Sequence, residues 1–160
     1  ICLFSLSPQC YTFHTGVAPP STEERRLTMK LNPDCIRDIL IDIEDTTTIN
    51  TAWKYDSHNP SKRLLNYSQF EIAYHARYCY EANLIKDFSI GGNSESVFAS
   101  DLTPKGHDFL SNIRENKIWN GVKIIAGKVG SSSLDALIQI STNVITELIK
   151  AQFGIGITSP

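Results

Sequence analysis

From residue 29 onward, apolar positions fall into blocks whose spacing switches from helical to extended and back. Ile36, Ile39, Leu40 and Ile43 recur at three- and four-residue steps, which places them on one helical face. Asn32 before Pro33 opens this helix. Asn is a good cap, Pro suits the first helical position, and Asp34 faces the positive end of the helix dipole. The pattern predicts an end near Glu44. Residues 45–65 carry no sustained period and read as a long polar connection containing Trp53, Tyr55 and Asn59-Pro60. A second helix starts after Ser68, an N-cap with Glu71 completing a capping box. Ile72, Ala73, Ala76, Cys79 and Tyr80 form its apolar face; Glu71, Tyr74, Arg77, Tyr78 and Glu81 lie opposite, with His75 on the edge. Asn83 tolerates the left-handed turn that a helix exit needs, and Leu84 and Ile85 extend the apolar surface.

Next come two short stretches of period two. Phe88 and Ile90, then Phe98 and Leu102, flank Gly91-Gly92-Asn93, residues suited to a tight hairpin. Thr103-Pro104 opens a further helix, with Phe109, Leu110, Ile113 and Trp119 predicted inside and His107 as a core or capping residue. A short basic segment with Lys123 and Lys128 follows and is broken at Gly130–Ser133. The last element spans Leu134 to Phe153, with Gly154 as a stop. Leu134, Leu137, Ile138, Ser141, Ile145, Leu148 and Gln152 fall near heptad positions, and Ile140, Val144 and Ile149 widen the stripe. Such a stripe needs a partner, either the body of the same chain or a second subunit. Leu134, Leu137, Ile138, Ile145 and Leu148 are the candidate oligomerisation residues.

Helix followed by β-hairpin is the central unit of a winged helix. The predicted fold is therefore α+β, mostly α: a winged-helix-like domain over residues 29–130, then a C-terminal amphipathic helix within 131–160. In that arrangement the helix ahead of the hairpin presents its exposed side chains to a nucleic acid or a partner. The candidate binding residues are Tyr74, His75, Arg77 and Tyr78 on that helix, and Lys62 and Arg63 at its entrance. Two glutamates against one arginine make the helix face poor in cations, whereas direct readers of DNA show a basic stripe. The hairpin tip, residues 91–96, carries only Glu95, so a backbone-gripping wing is not supported.

Composition narrows this further. The chain has 160 residues, 41% apolar, enough for one domain with an appended element. Fifteen Lys and Arg against 17 Asp and Glu give a formal charge of −2, which argues against strong non-specific nucleic-acid binding. Cys2, Cys10, Cys35 and Cys79 lie too far apart for a zinc or dithiol motif. They fit a reducing cytoplasm. No metal set, phosphate loop or nucleophile motif stands out, so neither a cofactor nor an enzymatic activity is expected. The final helix is too polar for a membrane span. Residues 1–28 lack periodicity, are broken by Pro8, Pro19 and Pro20, and fail as a signal peptide. The expectation is that the native protein starts at Met29, with leader or fragment sequence before it; a disordered tail is the alternative.

Four blocks, MKLNPDCIRDIL at 29–40, YSQFEIAYHARYCYEANLI at 67–85, DLTPKGHDFLSNIRENKIW at 101–119 and SLDALIQISTNVITELIK at 133–150, together resemble an uncharacterised family of bacteria and their prophages. The resemblance runs from Met29 to about Gly154. It implies a winged-helix-like body and a phage-linked gene context, and no catalytic residues. The leading expectation is a regulator that binds duplex DNA. The alternative is a winged-helix protein-interaction module, for which an aromatic, mixed-charge helix face is a good chemical match.

Overall fold

The computed structural model describes residues 29–153; the expectations for residues 1–28 lie outside them. In chain order the elements are α1 (Pro33–Thr46), β1 (Trp53–Asp56), α2 (Gln69–Glu81), β2 (Ile85–Gly91), β3 (Ser96–Leu102), α3 (Pro104–Ile113), α4 (Asn116–Val129) and α5 (Leu134–Phe153). The strands form an antiparallel sheet in the order β1-β3-β2. With α1 and α2 against this sheet and the β2–β3 hairpin as wing, the arrangement is winged-helix-like, α+β and mostly α. No helix among the described residues is long and apolar enough to cross a membrane.

Local chemistry explains the helix starts. The Asn32 side chain accepts from the backbone N–H groups of Asp34 and Cys35, with Pro33 in the first turn. Ser68 Oγ accepts from Glu71 N–H at 3.2 Å, but the Glu71 carboxylate does not close the expected capping box. It turns instead to the Asn32 amide, 2.9 Å away on α1. Asn83 takes φ 58°, and the chain leaves α2 with Leu84 N–H on the Cys79 carbonyl at 2.8 Å.

The predicted connection over 45–65 holds a strand, β1. Four residues are too short for a period to register, yet Trp53 and Tyr55 are both buried. This strand also corrects the wing. Trp53 pairs with Ala99, Tyr55 with Val97, and Lys54 with Phe98. Val97 and Ala99 therefore face the core, and Phe98, expected inside, lies on the solvent side at 37% exposure. The pleat then slips one position, so that Leu102 is buried. The slip sits opposite Asp87, which adopts φ 48° and whose carboxylate accepts from the Ser100 hydroxyl at 2.6 Å.

Beyond the wing, α3 presses close on the exit from α2. The Thr103 hydroxyl donates to the Asn83 carbonyl at 2.7 Å and caps α3 at Gly106 N–H, 3.0 Å away. A Cβ on Gly106 would lie 2.1 Å from the Leu84 carbonyl oxygen, so only glycine fits. The chain from 104 to 129 forms two helices where one helix and a basic segment were predicted. Arg37 holds the corner: its guanidinium donates to the Ile113 carbonyl at 2.9 Å, to the Arg114 carbonyl, and to Asn116 Oδ1 at 2.9 Å. Lys123 is folded back onto α1, 2.8 Å from Asp34, which also accepts from the Trp119 indole at 2.6 Å. Burial alone would raise the Asp34 carboxyl, but these two hydrogen bonds and the charges of Lys123 and Arg37 outweigh it and hold it below its ordinary value.

Candidate interaction face

The exposed side of α2 and the adjoining wing form one surface. Phe70, Tyr78 and Ile90 are 40%, 37% and 44% exposed. Between helix and wing lies a groove of about 210 Å³ walled by Phe70, Ala73, Tyr74, Arg77, Ile90 and Ser94, with Met29 at its edge. Gln69 Nε2 donates to the Asn93 carbonyl at 3.1 Å and ties the helix to the wing turn. Tyr80, expected on the buried face, is 48% exposed and stacks on Phe88 with ring centroids 5.7 Å apart.

The predicted binding residues do not form one constellation. Tyr74, Arg77 and Tyr78 do share this surface: Tyr74 and Tyr78 lie 5.5 Å apart, and the Arg77 guanidinium sits over the Tyr74 ring at 5.9 Å. Arg77 is also paired with Glu81 at 3.5 Å, so its charge is largely compensated. Lys62 and Arg63 lie in the turns that precede α2, and both are exposed. Arg63 is committed to Asp45 at 3.3 Å and Asp38 at 3.9 Å. Of the oligomerisation candidates, Leu134 and Leu137 are buried within the protomer, Ile138 and Ile145 are half-buried, and Leu148 is exposed. The first two are therefore unavailable to a seam between subunits.

His75 requires the largest correction: it is fully buried, not on the edge of the exposed face. Its Nε2 accepts from the backbone N–H of Asn32 at 2.8 Å, and Nδ1 lies 2.7 Å from the Glu71 carbonyl. The Asn32 donor assigns the tautomer: the proton is on Nδ1, and the lone pair is on Nε2. Burial pushes the imidazole pKa down, against the opposing pull of Glu71. His107, expected as a core or capping residue, is instead a surface group 3.4 Å from Glu44.

Cys35, Glu71 and His75 come together, with ligand-type atoms all within 4.8 Å of one another. Sequence spacing hid this trio, because α1 supplies one member and α2 the other two. Two of its ligand atoms are already engaged. The His75 lone pair is used by Asn32 N–H, and Glu71 Oε1 by the Asn32 amide. Burial, and secondarily the charge of Glu71, push the Cys35 thiol well above its ordinary value, so it stays protonated. The cluster acts as a latch that fastens the start of α1 to α2.

Sheet order, helix arrangement and wing define a winged-helix-type protein with an aromatic, charge-compensated α2 face. The chain belongs to the family described as Hypothetical protein (DUF2513), whose profile matches residues 30–132. That match takes in α1 to α4 and ends short of the Gly154 limit read from the sequence. An uncharacterized protein of Haemophilus influenzae is 29% identical over 123 residues, covering 76% of this chain and 99% of the relative. No solved structure matches the chain.

Proposed function

We propose that this chain is a winged-helix interaction module that uses the α2–wing face to bind a protein partner. One observation carries the reading: the arginine of α2 is occupied by Glu81 and Tyr74, while Phe70 and Ile90 stand exposed around a shallow groove and Tyr78 is exposed further along the helix. Aromatic and arginine side chains are the groups enriched at protein interfaces, and compensated charge there lowers the desolvation cost of docking. The partner's matching feature is an apolar side chain that enters the groove. The proposal assigns no catalytic step.

A second reading is favoured by the winged-helix arrangement itself: a regulator of phage-linked genes that binds duplex DNA through α2, with Lys62 at its entrance. A photo-crosslinking residue at Tyr74, used in cells, identifies a partner for purification and binding measurements. Affinity for that purified partner is expected to fall at least tenfold in Phe70→Ala. Labelled upstream duplex titrated at low salt tests the other reading. If wild type binds it, and Arg77→Ala flattens the slope of log K against log salt by about 0.9, the DNA reading replaces this one.

A further inference from the structure

The apolar stripe of α5 outlasts the body that buries it. Leu134, Leu137 and Ser141 are 4%, 1% and 0% exposed. The same three- and four-residue steps continue through Ile145, Leu148 and Gln152. Among the described residues the cover ends here: Leu148 is 50%, Ile149 49% and Phe153 71% exposed. Length is the cause. α5 has 20 residues and its hairpin neighbour α4 has 14, so at 1.5 Å per residue α5 overhangs by about 9 Å. Single exposed apolar side chains are ordinary, but three within two turns, continuous with a buried stripe, form a patch.

The overhang also lacks charge where it is apolar. Glu147 and Lys150 are the charged residues of this stretch, and they point away from the Ile145–Leu148–Gln152 line. They bond to each other at 2.9 Å. An acidic or basic partner therefore finds nothing on the stripe to pair with, whereas an uncharged apolar strip is complementary to itself. Self-complementarity is what a two-fold contact between identical surfaces demands.

We propose that the exposed end of the α5 stripe, Ile145 to Phe153, docks against the same stripe of a second copy of this chain about a two-fold axis. The extent of the patch sets the strength. Its side chains offer on the order of 300–400 Å² per protomer, about half the roughly 800 Å² per partner of a standard stable interface. The dimer is thus weak and concentration-dependent.

Sedimentation velocity of the full chain, from low micromolar to near-millimolar concentration, tests this. The wild type is expected to shift from monomer towards dimer as concentration rises. Leu148→Asp and Ile149→Asp, each at a half-exposed position, should keep the wild-type melting temperature and weaken association at least tenfold, because each buries a charge in an apolar seam. A wild type that stays monomeric throughout overturns the proposal. So does a dimer of unchanged affinity in both variants, which would put the interface elsewhere. Flotation with phosphatidylcholine vesicles gives one further arm: a chain that is monomeric in solution but bound to vesicles through Leu148 assigns the stripe to a lipid surface instead.

Discussion

Replacing His75 with alanine breaks one of the two hydrogen bonds that join α2 to the Asn32 cap of α1 and is the sharpest test of how this body is held together. Two short hydrogen bonds disappear, from Asn32 N–H to Nε2 at 2.8 Å and from Nδ1–H to the Glu71 carbonyl at 2.7 Å. The larger part of the cost lies in what remains. The N–H of the half-buried Asn32 loses its acceptor, and an orphaned group of this kind costs about 1–3 kcal/mol when water cannot reach it. A ring-sized void adds to this, because packed surroundings relax only in part. The expected loss is about 3 kcal/mol, a large share of a typical 5–15 kcal/mol. For a body of this size that corresponds to a fall of roughly 10 °C in Tm. The pH dependence has a definite sign. The folded imidazole has a pKa below its ordinary 6.5, so it stabilises the fold in its neutral form. That contribution is complete above the unfolded value and is lost as pH falls from there through the lower folded value. Physically, a proton on Nε2 would set two N–H donors against each other. Urea denaturation of both proteins between pH 5 and 8 should therefore show a gap that is widest at neutral pH and narrows on acidification. A gap below about 0.5 kcal/mol, or one independent of pH, would refute the latch.

Two further outcomes check the same account of the packing. Gly106→Ala should cost about 3 kcal/mol or more, since its Cβ would meet backbone rather than a side chain that can swing away. Gly121→Ala, where an added Cβ meets nothing within 4 Å on α4, should instead stabilise by about 0.5–1 kcal/mol; thermal melts that fail to show opposite signs would discard this reasoning. Equimolar Zn²⁺ should leave the Tm unchanged, because the Cys35, Glu71 and His75 donors are already bonded or protonated. A rise that Cys35→Ser abolishes would make the cluster a metal site.

What the sequence determined by itself is the part of the fold that is local. The starts of α1, α2 and α3 are set by Asn32, Ser68 and Thr103, whose side chains bond backbone groups two or three residues away. The span of α5 and the left-handed exit at Asn83 follow for the same reason: each depends only on neighbours in the chain. Tertiary structure decided everything that needed a distant partner. Only the pairing of β1 with β3, across 46 residues at Trp53 and Ala99, determines that Phe98 points to solvent. Only Arg37, 76 residues from Ile113, explains a corner between α3 and α4 where the apolar pattern runs straight on. His75 lies at a helical position that pattern alone assigns to the surface edge, and it is drawn inside because Asn32, 43 residues earlier, supplies the donor that satisfies it. The exposed face of α2 was legible only in part: Tyr74, Arg77 and Tyr78 were read as exposed, but Phe70 was missed and His75 misplaced, and only the structure sets Arg77 beside Glu81 and over the Tyr74 ring. The stripe of α5 was likewise legible as a stripe. Where the body stops covering it depends on the lengths of α4 and α5 once they are packed side by side, and that boundary separates the residues that hold the body together from those left exposed.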